Sequence, residues 1–140
     1  MSRRVLIALI LCAGCGKFRE NRECADFAQR VNAFISESKG KGSPNYANPA
    51  EVVRESRALA ERYKKLDVDL STLKIETAEL RPPVESYRKL AAQAATALEG
   101  AAVALEKQDL ELARTRRNDF DRAAKQEPAL VKTINDLCAR

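Results

Sequence analysis

Four cysteines, at positions 12, 15, 24 and 138, carry the most reactive side chains of this 140-residue chain. A cysteine can pair in a disulfide, bind a metal or act as a nucleophile. The chain contains no His, which excludes Ser-His-Asp and Cys-His nucleophilic systems and histidine ligands to zinc or haem. Acidic pairs such as Glu76 and Glu79 are common on charged helices and carry no specific signal. We therefore expect neither an enzyme nor a bound cofactor.

The N-terminal residues have the organisation of a secretory signal. Arg3 and Arg4 give a positive start, residues 5–11 form an unbroken apolar run, and two small residues then precede Cys15. The apolar run is far shorter than the ~20 residues that a transmembrane helix requires. The alternative is a short buried helix of the mature protein. The pattern disfavours it, because no polar residues alternate with the apolar ones to form an outer face.

The sequence Leu11-Cys12-Ala13-Gly14-Cys15 resembles the lipobox of bacterial lipoproteins, a family that usually has Leu at the position of Cys12. The resemblance implies that the Cys15 thiol becomes a diacylglyceryl thioether, that residues 1–14 are removed, and that the new amino end is acylated. Gly16 rather than Asp follows the cysteine, which resembles an outer-membrane sorting signal. We therefore expect a lipid anchor at Cys15 in the bacterial cell envelope, at the outer membrane and facing the periplasm.

Cys24 and Cys138 would be the two cysteines left in the mature chain. Exported proteins usually pair such thiols, so a disulfide is expected. Two buried free cysteines are the alternative, and two thiolates without His make an incomplete metal site. Removal of residues 1–14 takes away two arginines and no acid, which lowers the net charge from +5 to +3. A nucleic-acid partner is not expected, because it needs a clustered basic face and a different compartment.

Apolar and small residues recur at steps of three and four from Cys24 onward, which predicts helices throughout. The spacing is typical of helices packed at small crossing angles. The predicted fold is therefore all-α, an antiparallel up-down four-helix bundle that forms one domain over residues 15–140. Its helices are expected roughly at 20–39, 49–66, 77–107 and 109–139, with a kink at Pro128. The segment 67–75 is locally ambiguous.

Two local signals mark helix boundaries. Asn48 can cap a helix whose first residue is Pro49. The apolar periodicity loses phase at Gln108, and Asp109 is suited to cap a new helix, so a tight turn at residues 107–109 fits better than one long rod. The start of the third helix is uncertain between Thr77 and Pro83. In an up-down bundle the start of helix one adjoins the end of helix four, which brings Cys24 beside Cys138.

The predicted lengths suggest a site for a partner. The third and fourth helices are longer than the first two, so their connecting hairpin could project beyond the bundle and expose apolar residues. These are Val103, Leu105, Leu110 and Leu112. The alternative is that the loop from Lys39 to Asn48 folds over them. Arg117 falls on the apolar face, where it could extend past the core edge, pair with an acid, or bind a small acidic ligand.

The sequence therefore favours a lipid-anchored structural or protein-interaction module of the envelope, bound to the membrane through Cys15 and to an unidentified envelope protein. The segment from Ile134 to Cys138, which ends the apolar face, is similar to that of small helical lipoproteins. A small-ligand-binding or sensor bundle is the alternative. It would need a pocket between helices, and the many alanines of the third helix favour close packing instead.

Overall fold

The computed structural model describes residues 2–38 and 47–140, with side chains from Gly16 onward. These residues form four helices and no strand: α1 (Ser2–Ser38), α2 (Pro49–Ser71), α3 (Arg81–Glu106) and α4 (Leu110–Cys138). The all-α four-helix bundle predicted from the apolar periodicity is thus confirmed. Within residues 2–38 and 47–140, no helix combines the length and apolar character that crossing a membrane requires.

The four helices pack so that α3 holds the bundle together. It lies against both α2 and α4, whereas α1 packs against α2 and α4 and lies diagonally across from α3. Five of the seven aromatic residues meet in the centre. The ring of Phe27 stands edge-on to that of Tyr87, with centroids 5.5 Å apart. Phe34 contacts Tyr63 at 4.8 Å, and Tyr63 contacts Phe120 at 6.1 Å. All four helices therefore contribute to one core.

The core follows the predicted helical faces. Each buried residue removes apolar surface from water, which is the main source of stability in such a bundle. The α3 helix is rich in alanine at its buried positions, and these small side chains let its neighbours approach closely. The largest fully buried side chains are Tyr87, Leu66, Leu70, Leu80 and Ile134.

Local capping fixes the ends of three helices. The Asn48 side chain accepts a hydrogen bond from Glu51 N–H at 3.4 Å, and Pro49 occupies the first turn of α2. The α3–α4 hairpin turns at residues 107–109, as predicted. Gln108 adopts a φ of 58°, in the left-handed region, and the Asp109 side chain accepts a hydrogen bond from Leu112 N–H at 3.0 Å. These contacts satisfy backbone groups that helix ends leave without partners.

Two helix boundaries differ from the predicted ones. The α1 helix begins at Ser2 rather than near residue 20, because the apolar segment contains good helix formers and no proline. The α2 helix continues to Ser71 rather than 66, since Leu70 extends its buried face. The α3 helix begins at Arg81, after a turn and within the interval from Thr77 to Pro83 in which its start was expected. Pro128, where a kink was expected, lies inside the continuous α4 helix.

Candidate functional site

One end of the bundle is closed covalently. Cys24 of α1 and Cys138 of α4 form a disulfide, with an S–S distance of 2.05 Å and Cα atoms 5.8 Å apart. The predicted pairing of Cys24 with Cys138 is confirmed. The side chain of Cys15 lies outside the described residues. We call this the proximal end of the bundle, and the end at the α3–α4 hairpin the distal end.

Next to the disulfide, a buried carboxylate fastens α1 to the α2–α3 connection. Glu23 is only 6 % exposed and accepts hydrogen bonds from the backbone N–H groups of Glu76 (2.9 Å) and Thr77 (3.2 Å). Burial acts to raise the pKa of the Glu23 carboxyl, but these hydrogen bonds and the charge of Arg19 outweigh it, and the net pKa is lowered. Arg19 also pairs with Glu76 at 3.0 Å. The arrangement positions α1, and it borders a cavity of about 440 Å³ whose lining is mainly polar and includes Arg22, Arg30 and Lys74.

The centre of the bundle contains a second polar contact. The hydroxyl of Tyr87 donates a hydrogen bond to Glu127 Oε1 at 2.6 Å, which links α3 to α4. Burial, followed by this hydrogen bond, raises the pKa of Tyr87. Burial and the nearby Glu127 raise the pKa of Tyr63 to about 12. Both tyrosines are buried core residues, and both stay neutral at physiological pH.

The distal end has an open apolar groove. Phe34 and Tyr63 mark the level at which α1 covers the core, and α1 ends at Ser38, one turn beyond Phe34. Beyond that level α2, α3 and α4 continue and enclose a cavity of about 340 Å³. Its lining is mostly apolar and includes Val52, Leu98, Leu105, Leu110, Ala113 and Phe120. We call this cavity the distal groove.

The charged residues that line the distal groove are all arginines on α4, namely Arg114, Arg116 and Arg117. Each pairs once with an acid on the same helix, at N–O distances of 3.4, 3.5 and 3.1 Å. All six side chains of these pairs are more than a third exposed, so the pairs are weak. The α4 wall of the groove therefore presents guanidinium groups whose other N–H donors are accessible to solvent or to a bound molecule.

Two of the four residues expected at the hairpin tip line this groove. Leu105 is half-buried in its wall, and Leu110 is 67 % exposed at its mouth. Val103 is half-buried and Leu112 is 39 % exposed, and neither lines the groove. Leu105 and Leu110 therefore share one concave surface, whereas Val103 and Leu112 lie outside it.

The hairpin does not project beyond α2, contrary to the expectation from helix lengths. The Arg57 side chain of α2 pairs with Glu106 of α3 at 2.7 Å and contacts Glu99 at 3.6 Å, which places α2 alongside the hairpin. Among the described residues, α1 is the one helix that stops short of this end. The alternative in which the loop from Lys39 to Asn48 covers the tip falls on residues 39–46, which lie outside the described residues.

Arg117 forms an ion pair with Asp121 on the protein surface. Its Nε lies 3.1 Å from Asp121 Oδ1 on the same helix, and its guanidinium lies 5.7 Å from the centre of the Phe120 ring. The side chain is 55 % exposed, so it does not enter the core. Arg117 instead stacks on the rim of the distal groove.

Other surfaces of the described chain are less suited to a ligand. Two shallower grooves of about 480 and 600 Å³ lie along the outer α3–α4 face and are lined by mixed polar and apolar groups. Among residues 16–38 and 47–140, no three His, Cys, Asp or Glu side chains are grouped so that they could hold a metal ion.

Two features escaped sequence reasoning for different reasons. Glu23 caps a turn 53 residues away, and no local pattern signals a contact between such distant residues. The distal groove exists because α1 stops short of α2 at the distal end. The sequence predicted a shorter α2, whereas this helix extends to Ser71 and adjoins the hairpin.

Comparison of the chain with protein families, with curated proteins and with solved structures found no match.

Proposed function

We propose that this chain is a lipid-anchored module of the bacterial envelope, processed at Cys15, that binds a protein partner through the distal groove. Support for the anchor comes from the positively charged start, the apolar run and the lipobox-like residues that end at Cys15. The Cys24–Cys138 disulfide supports export, because structural disulfides persist in oxidising compartments. The Gly16 that follows favours the outer membrane, with the bundle facing the periplasm.

The observation that carries the binding role is the apolar groove at the end opposite the anchor. An anchored protein needs its recognition surface away from the lipid headgroups. The disulfide joins the last residue of α4 to α1, whereas the groove lies along the first third of α4. From Leu110 to Cys138 that helix extends about 43 Å. The proximal end would therefore lie near the membrane, and the groove would face the periplasm.

Site-specific photocrosslinking in intact cells tests this role. A photoreactive residue at Leu110 is expected to yield one discrete protein adduct, because that side chain lies at the mouth of the groove. The matched control places the same residue at Lys89, which lies on the outer α3–α4 face. Equal adducts from both positions, or none from Leu110, would argue against a partner in the groove.

A small-ligand sensor is the second candidate, and the volume of the groove favours it. Ligand pockets commonly enclose about 300–1,000 Å³, and the distal groove lies near the lower limit. A thermal-shift screen of small acidic and apolar metabolites separates the two roles. A compound that raises the melting temperature of the wild-type protein, but not of a Leu110→Arg variant, would favour the sensor.

A further inference from the structure

We propose that the occupant of the distal groove is an acidic amphipathic helix of the partner protein, which continues the path of α1 and completes the bundle at its distal end. This inference rests on the proposed binding role and specifies the chemistry of the partner.

The shape favours a helix. On the proximal side of the groove α1 packs between α2 and α4, and Phe34 contacts Tyr63, which contacts Phe120, where the two regions meet. Phe120 also lines the distal groove, so the groove begins where α1 stops and lies between the same two neighbours. From Phe120 to Leu110 the α4 wall extends about 15 Å, which matches three turns of helix.

The floor and walls suit the apolar face of such a helix. Ala97 and Ala101 form a low floor that allows large side chains to enter. Leu105 and Val52 are half-buried in the walls, and Leu110 stands exposed at the mouth. Apolar residues spaced three and four apart on a partner helix would reach these surfaces together, as in other helix-in-groove complexes.

The charge of the lining selects an acidic partner. Three arginines and no acidic residue line the groove among the described residues. A carboxylate on the partner could replace the exposed intrahelical partner of Arg114 or Arg117 and bind the guanidinium in a less solvated setting, where charge-assisted hydrogen bonds are stronger.

The chain that follows α1 does not match this charge. Residues 39–46 contain Lys39, Lys41 and no acidic residue, and Tyr46 is their single large apolar residue. Their charge has the same sign as the arginines, so they do not provide the complementary group. An acidic amphipathic helix from another protein supplies both the apolar face that fits the groove and the negative charge that complements its arginines.

Peptide binding to the full-length protein, extracted from membranes in detergent, tests the proposal. The probe is a fluorescent amphipathic peptide about four turns long, with leucines on one face and glutamates along both borders. Its counterpart carries lysines in place of the glutamates. Fluorescence anisotropy should show the acidic peptide binding at least tenfold more tightly than the basic one, with an affinity that falls as salt is raised.

Charge reversal in the groove provides the matched variant. Arg114→Glu combined with Arg117→Glu should weaken the acidic peptide at least tenfold and improve binding of the basic peptide. The control combines Arg122→Glu with Lys125→Glu, which makes the same charge change on α4 outside the groove and should alter affinity less than threefold. Helical circular dichroism and an intact disulfide confirm that each variant is folded.

Several outcomes would overturn the assignment. Equal affinity for both peptides, or equal losses in the two double variants, would show that the arginines of the groove do not select the ligand. A concentration-dependent dimer abolished by Leu110→Ser would identify a second copy as the occupant. Binding seen only after residues 39–46 are replaced by a Gly-Ser linker would show that the chain fills its own groove. These results leave the anchor at Cys15 intact, because lipidation is measured separately.

Discussion

Glu23 of α1 caps the turn that leads into α3, because its buried carboxylate accepts the backbone N–H of Glu76 at 2.9 Å. The same carboxylate accepts Thr77 N–H at 3.2 Å. Together with the neighbouring disulfide, this contact fixes the position of α1 at the proximal end. The contact joins α1, the helix proposed to carry the lipid, to the connection between α2 and α3.

Replacement of Glu23 by Gln should destabilise the fold by about 1–3 kcal/mol, because two backbone donors lose a charged acceptor in a buried site. The folded-state pKa of Glu23 is lowered, so its contribution is fully present above the ordinary Glu pKa and is lost as pH falls through the lowered value. Urea unfolding between pH 3 and pH 7 should therefore show a smaller acid-induced loss in Glu23→Gln. The control, Glu79→Gln, changes an exposed acid nearby, and an identical effect would refute the role of Glu23.

Reduction of the Cys24–Cys138 disulfide should release α1 before the rest of the bundle. The bridge closes a loop with a sequence separation of 114, and chain entropy sets an upper stabilisation of about 4–5 kcal/mol. The α2–α3 and α3–α4 interfaces do not depend on it. Hydrogen exchange after reduction should accelerate in α1 beyond Cys24 while α3 stays protected. Uniform acceleration in all helices would contradict this order.

The buried tyrosines should make the protein sensitive to alkali. Burial raises the pKa of Tyr63 to about 12 and also raises that of Tyr87. Folding therefore favours the neutral phenols, and stability present below the ordinary Tyr pKa of about 10 is lost as pH rises above it. Denaturation midpoints measured from pH 8 to pH 11 should fall in the wild type and fall less in Tyr63→Phe. Tyr87→Phe should also cost about 1–3 kcal/mol at neutral pH, since Glu127 loses its hydrogen-bond donor. An unchanged alkaline slope in both variants would refute the assignment.

Much of the fold follows from sequence because its determinants are local and periodic. Asn48 and Asp109 predicted the starts of α2 and α4 through their capping geometry, and Phe27 and Tyr87 fell on the apolar faces that the structure buries. The pairing of Cys24 with Cys138 followed from the up-down topology.

What the sequence could not predict depends on the relative positions of helices. The end of α2 at Ser71 changes which residues adjoin the hairpin, and only tertiary packing shows this. Leu105 and Leu110 looked equivalent to Val103 and Leu112 as apolar tip residues, yet only the first two share the groove. Arg116 lines the groove because its side chain crosses Gly100, where an added Cβ would stand 3.1 Å from Arg116 Cδ.

The turn at Gln108 offers a test of the hairpin. Gln108 adopts a φ of 58°, which costs a residue with a Cβ about 1 kcal/mol relative to glycine. Gln108→Gly should therefore stabilise the protein by about 0.5–1 kcal/mol in urea unfolding. Lys107→Gly, at the neighbouring position with a negative φ, should not stabilise it. Stabilisation by both substitutions would show that the left-handed conformation is not the cause.

The intact mass of the membrane-extracted protein is the decisive measurement for export and for anchoring through Cys15. The wild-type chain should lack residues 1–14 and carry the added mass of acyl chains, whereas Cys15→Ser should retain residues 1–14 and gain no lipid. The same mass for both proteins, apart from the exchanged side chain, together with identical partitioning into detergent, would contradict export and anchoring through Cys15.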